Sequence, residues 1–186
     1  DDGDGALTAN QIFTIVVTPV NDAPVAVADT ATVLEDAEAT SIDVLSNDTD
    51  EEGEPLTLLS VTTSGTGTIT INGALVDYTP AINYNGTEEI TYTVSDGLLT
   101  SEGILTIAVT PVNDSPTITS TAVTSVTEDE QYTYTITTED VDEDVVTVSA
   151  TGLPSWLTLS GNILSGTPSE GETGSEITIT ATDDGD

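Results

Sequence analysis

The chain has 186 residues; 34 are Asp or Glu and none is Lys, Arg or His, giving a formal charge of −34 at neutral pH. No side-chain salt bridge can form, and nucleic acid or an anionic membrane surface would be repelled. The same composition leaves no ordinary base for a serine nucleophile and no cationic clamp, which argues against an enzyme.

Cysteine is absent, so no disulfide holds the fold, and no apolar run is long enough to span a bilayer. Charge of this size often accompanies disorder. Here 36% of residues are hydrophobic, and they fall in short alternating runs rich in Thr, Val and Ile. That pattern is what strands prefer, and the expected fold class is all-β.

In chain order, residues 1–5 (DDGDG) read as an acidic turn. Gln11–Thr18 reads as one strand, with Phe13, Ile15 and Val17 on one face and Ile12 and Val16 on the other. A lone strand has no stability of its own. Residues 1–20 are therefore expected to be the closing strand of a preceding or neighbouring domain. The string TPVNDAP follows at 18–24 and returns as TPVNDSP at 110–116, 92 residues later. A period of that length points to tandem domains. Pro19 and Pro111 lack an N–H and end their strands, while Pro24 and Pro116 hold the residue before them extended.

The next segment, 21–112, offers strands at Val25–Val33, Thr40–Val44, Leu56–Thr62, Thr66–Ile71, Ala74–Tyr78, Glu89–Val94 and Ile104–Thr110. Asn72-Gly73 between two of them is a hairpin signal. Seven short strands in this span suggest a β-sandwich of the immunoglobulin or cadherin type. Segment 113–186 repeats the plan at Thr117–Val126, Gln131–Thr137, Val145–Ala150, Leu157–Leu159, Asn162–Leu164 and Glu176–Thr182, and its last strand is missing. The tetrad DDGD stands at both 1–4 and 183–186, which suggests one period of roughly 182 residues in a longer array.

Acidic motifs keep order and spacing in both halves. Glu35-Asp36 matches Glu128-Asp129, Asp48-Thr49-Asp50-Glu51-Glu52 matches Asp140-Val141-Asp142-Glu143-Asp144, and Asp96 matches Asp183, at offsets of 93, 92 and 87 residues. With loops gathered at the two poles of a sandwich, each linker collects oxygens from several stretches. One expected set is Asn21, Asp22, Asp48, Asp50 and Asp96, with an equivalent of Glu128 from the preceding domain. The other is Asn113, Asp114, Asp140, Asp142 and Asp183, with Glu35. An oxygen-only donor set suits Ca2+; the absence of His and Cys argues against zinc.

These residues resemble the bacterial cadherin-like and Ig-like tandem repeats of large surface adhesins. PVNDAPVAVAD, VLEDA, IDVLSNDTDEEGEPLTL and ITYTVSDG carry the likeness over 21–114; TEDEQYTYTI, GLPSWLTL, NILSGTPSEGETG and ITITATDDGD carry it over 117–186. The resemblance implies tandem Greek-key sandwiches on short linkers, exported to the cell surface or released. It implies Ca2+ at the junction residues named above and a spacer role in adhesion, biofilm or matrix. It gives Trp156 a core role. From the residues themselves, the surplus strand and the missing one, the expected partners are adjacent repeats or copies of the chain, head to tail, with Gln11–Thr18 filling an open sheet edge of the next copy. Cell-surface or matrix polysaccharide is a further expected partner. The second reading is a carbohydrate-binding accessory module of a secreted enzyme, which needs an exposed aromatic platform.

Overall fold

A computed structural model describes residues 9–185. The acidic turn at 1–5 and the tetrad at 1–4 lie outside the described residues, as does Asp186. Among those described there is no helix, and hence none able to cross a membrane.

The chain is all-β. Alternation of apolar and polar side chains produces β1 (Asp29–Leu34), β2 (Thr40–Asp43), β3 (Thr57–Thr63), β4 (Thr68–Asn72), β5 (Leu75–Thr79), β6 (Gly86–Ser95) and β7 (Thr100–Thr110). They form two sheets, in the orders β1-β7-β6-β3 and β2-β5-β4. The alternating residues Ile90, Tyr92 and Val94 of β6 and Leu105, Ile107 and Val109 of β7 are buried. Val76 and Tyr78 of β5 are their counterparts in the other sheet. At the β4–β5 hairpin, Asn72 pairs with Leu75, so the turn is Gly73-Ala74 rather than the expected Asn72-Gly73. Gly73 has φ 66° and Ala74 is not in the left-handed region. Glycine at the first central position is what a turn with one positive φ, placed there, demands.

The later residues form β8 (Thr117–Ile118), β9 (Tyr132–Thr135), β10 (Thr138–Glu139), β11 (Thr147–Thr151), β12 (Leu157–Ser160), β13 (Ile163–Gly166) and β14 (Thr178–Thr182). Their sheets are β10-β8, β11-β14 and β12-β13-β9. Tyr132, Tyr134, Ile136, Leu157 and Leu164 make the core, with Trp156 packed against it. The Trp156 ring meets Tyr132 edge-on at 6.2 Å and 84°.

Two expected strands differ. Thr117–Val126 shortens to Thr117–Ile118, and Gln11–Thr18 carries no strand. A ladder needs a partner on at least one edge, and neither Ser120–Val126 nor Gln11–Thr18 has one among the described residues.

By compactness the chain divides into two units. The first comprises Asp1–Ala31, Ala39–Thr79 and Thr87–Ile107; the second comprises Thr32–Glu38, Pro80–Gly86 and Ala108–Asp186.

One buried carboxylate of the first unit is structural. Glu88 accepts N–H bonds from Thr66 (2.6 Å) and Gly67 (3.1 Å) and hydroxyl bonds from Thr66 (2.9 Å) and Tyr78 (3.1 Å). Burial pushes its pKa up, but these donors outweigh burial and the net shift is downward. Glu88→Ala would leave buried donors unpaired and is expected to cost about 3 kcal/mol in urea unfolding. A lowered carboxylate stabilises the fold above its unfolded pKa of about 4.3 and loses that contribution as pH falls through the folded value. The gap between wild type and Glu88→Gln is therefore expected to close on acidification below about pH 4.

Candidate metal centre

In the first unit, the acidic turn after the Val25–Thr49 bridge winds around one carboxylate. Asp50 Oδ1 accepts the N–H groups of Glu52 (3.0 Å), Gly53 (3.1 Å) and Glu54 (3.3 Å). Gly53 supplies the positive φ (78°) that the tight turn requires. This winding brings one carboxylate oxygen each of Asp50, Glu52 and Glu54 within 4.8 Å of one another. The linker arrives beside them, because the Asp22 N–H donates to Glu52 Oε2 at 3.3 Å. Asn21 donates through Nδ2 to Asp96 Oδ2 at 2.8 Å. That bond, with N–H donation from Leu98 and Leu99, holds the Asp96 carboxyl below the usual range. Asp48 stands elsewhere, with Asp29 and Tyr92. Its Oδ1 accepts the Val27 N–H at 2.7 Å and lies 3.2 Å from the Tyr92 hydroxyl. Burial, with Asp48 and Asp29 alongside, holds that phenol well above its ordinary pKa.

The second unit repeats the winding. Asp140 Oδ1 accepts the N–H groups of Asp142 (3.0 Å) and Asp144 (3.2 Å), and carboxylate oxygens of Asp140, Asp142 and Asp144 come within 4.8 Å of one another. The linker Asp114 N–H donates to Asp142 Oδ2 at 2.7 Å. Asn113 Nδ2 donates to Asp183 Oδ1 at 3.2 Å. Glu35 is buried, and its Oε1 accepts the Val112 N–H at 2.7 Å. Asp36 adopts φ 57° and accepts the Asn83 N–H; the matching Asp129 adopts φ 64°. Burial raises the Asp114 pKa, and Asp36, Asp142, Glu35 and Asp140 raise it further. Burial also raises that of Asp144, with Asp140, Asp184, Asp142 and Asp183 adding to it. Negative groups thus converge here from residues 35–36, 114, 140–144 and 183–184. Glu128 stands apart from this group and accepts the Gly171 N–H at 3.3 Å.

The electrostatic balance is unusual for what it omits. Asp48 Oδ2, Asp50 Oδ2, Glu54 Oε2, Asp114 Oδ2 and Asp140 Oδ2 are each shielded from solvent and have no hydrogen-bond partner. The whole sequence contains no basic side chain that could serve. Buried carboxylate oxygens left unpaired are costly, and an oxygen-liganded cation is the chemistry that satisfies them. The residues present therefore fit Ca2+. Glu52, Glu54, Asp144, Asp36 and Asp184 extend the sets read from motif alignment. Acids at every second position, in Asp50-x-Glu52-x-Glu54 and Asp140-x-Asp142-x-Asp144, are the sequence signal for the two triads.

Residues 21–108 match the family described as "Bacterial Ig domain", and residues 115–186 match that described as "Putative Ig domain". No curated protein matches the chain. Among solved structures, human protocadherin-24 EC1-2 aligns at 17% identity and TM-score 0.55, over 87% of this chain and 94% of that one. A second crystal form aligns at 18% and 0.52, over 88% and 93%. The endo-fucoidan hydrolase MfFcnA4 from glycoside hydrolase family 107 aligns at 22% and TM-score 0.43 over 91% of this chain. The chain spans 28% of the length of that hydrolase. Bacterial Ig and cadherin-like domains are typically non-catalytic modules of extracellular or surface proteins. The two family matches together cover nearly all of 21–186, and the chain belongs to the Ig-domain repeats that these two families describe.

Proposed function

We propose that the chain is a Ca2+-stiffened repeat unit of a long extracellular adhesin or fibre. Its role is that of a structural spacer in adhesion, biofilm or matrix, with adjacent repeats or further copies as partners. The observation that carries this reading is the set of buried, unpartnered carboxylate oxygens at Asp50, Glu54, Asp114 and Asp140. Asp50, Glu52 and Glu54 would hold one ion beside the linker at Asn21-Asp22. Asp114, Asp140, Asp142 and Asp144 would hold ion at the second group, with Glu35 and Asp36 adjoining. Bound Ca2+ supplies positive charge that the sequence lacks. These residues supply the rest: they fasten the linker to a turn some 28–30 residues farther on, as the Asp22–Glu52 and Asp114–Asp142 bonds already do. A linker fastened at both ends has fewer conformations to explore. The domain divisions at 1–20, 21–112 and 113–186 belong to this proposal.

Most of the aromatic side chains are spent on the cores, with Tyr78, Tyr92, Tyr132 and Tyr134 buried. That leaves little for the sugar-stacking platform that a carbohydrate-binding module requires.

Small-angle scattering on chelator-stripped protein, before and after Ca2+, tests the spacer role. A longer maximum dimension and a narrower spread of conformers are expected with Ca2+. Superimposable profiles would count against stiffening.

A further inference from the structure

Two Asn-Gly pairs stand in the first domain, Asn72-Gly73 and Asn85-Gly86, and the fold treats them differently. Both asparagines are exposed. Asn72 is the last residue of β4 and pairs with Leu75 across the hairpin. Its Nδ2 donates to Asp77 Oδ2 on β5 at 3.1 Å. The ladder holds its backbone extended, and the bond draws its amide across to the neighbouring strand.

Asn85 has neither restraint. It lies between the first residue of β6 and a turn that the Tyr84 N–H closes on the Ala81 carbonyl at 3.3 Å. Its side chain makes no hydrogen bond among the described residues. Gly86 follows at φ 140°, a conformation that residues with a Cβ rarely adopt. The Tyr84 hydroxyl lies 3.0 Å from where that Cβ would stand. The start of β6 therefore requires glycine, and glycine is the residue that leaves its own amide nitrogen unshielded.

We propose that Asn85-Gly86 is a self-modifying site, at which the chain converts its own asparagine to aspartate and isoaspartate. The Gly86 backbone nitrogen gives its proton to the solvent and attacks Asn85 Cγ. A new C–N bond closes a succinimide ring, and the side-chain nitrogen takes up a proton and leaves as ammonia. Water then opens the ring at either carbonyl. One opening leaves an aspartyl residue; the other leaves an isoaspartyl residue, whose backbone runs through the former side chain and is one carbon longer. Water is the only reactant consumed. The change adds a carboxylate to the loop, and it reaches Asp36. Asn83, at φ 55°, donates its N–H to Asp36 Oδ1 at 2.9 Å, and a longer backbone two residues on displaces that donor. None of this depends on a bound cation.

Incubation of the full chain at physiological temperature and neutral pH tests the proposal. Peptide mapping with electron-transfer fragmentation, which separates isoaspartate from aspartate, follows both asparagines over time. Asn85 is expected to convert at least about tenfold faster than Asn72, and faster as pH rises, because local order restrains one pair and not the other. In urea that difference should vanish. Asn85→Gln should abolish conversion at this position and leave the rate at Asn72 unchanged. Amide exchange at Asn83 should quicken in the aged chain and stay constant in the aged Asn85→Gln chain. Equal rates at the two asparagines of the folded chain overturn the proposal, as does an Asn85 that persists when folded and converts only in urea. Unchanged exchange at Asn83 after conversion would overturn the link to Asp36.

Discussion

Addition of about 10 mM Ca2+ to chelator-stripped protein is expected to raise its melting midpoint by about 10–20 °C. Extracellular Ca2+ modules bind at about 10⁻⁴–10⁻³ M, so this concentration reaches roughly 100 times Kd at the tight end. A single site then adds about 2.7 kcal/mol, and each kcal/mol moves the midpoint of a small domain by about 4–8 °C. The effect is expected to be large here because the cation removes two costs together. It pairs buried oxygens that have no partner, and it offsets part of a self-repulsion that no side chain counters. Differential scanning calorimetry with Ca2+, with excess Mg2+ and with EGTA checks this. Mg2+ keeps several of its waters and demands octahedral geometry, so it should give a smaller rise. Equal midpoints in Ca2+ and EGTA would contradict the expectation.

The second large effect is a change of sign at Asp140. Asp140→Asn preserves the Oδ1 acceptor that takes the Asp142 and Asp144 N–H groups, so the turn can persist. It removes one negative charge from a group that already contains Asp114, Asp142 and Asp144. In EGTA the variant is therefore expected to melt higher than wild type. In Ca2+ it loses a ligand and most of the about 2.7 kcal/mol that one site contributes, so it melts lower. The two melting curves should cross as free Ca2+ is titrated. A merely structural aspartate would lower stability in both buffers, and a solvated surface charge would change neither. Asp50→Asn should behave alike in the first unit, because Asp50 plays the same part in its turn.

Much of the fold was readable from alternation. β6 and β7 bury every second residue, and their apolar positions stand out in the sequence. What resisted was pairing. Thr117–Val126 has strand-like composition but becomes a strand only at Thr117–Ile118, where Glu139 and Thr138 lie opposite. Gln11–Thr18 has the same sequence character as β7 and no ladder. Composition reports the willingness of a segment to extend; a neighbour decides whether it does. The hairpin turn moved by one residue for a related reason, since register is set by which side chains must face inward.

The candidate site was legible in outline for a different reason. Duplication marked Asn21, Asp22, Asp50, Asp114, Asp140 and Asp142, and the turns wind their backbone N–H groups around the first acid of each run. The placement of Asp48 depends on the hydroxyl of Tyr92, 44 residues away, and no local pattern could reveal that. Glu54 and Asp144 escaped because the turn winds position i+4 back onto the carboxylate of position i, where an extended strand would hold the two well apart.

The most direct test is equilibrium dialysis of the stripped chain against labelled Ca2+ at physiological ionic strength. At least two ions per chain should bind saturably, and Asp140→Asn and Asp50→Asn should each remove one class of site. A linear, unsaturable uptake that NaCl displaces and neither substitution changes would show a diffuse counterion cloud instead, and would contradict the account.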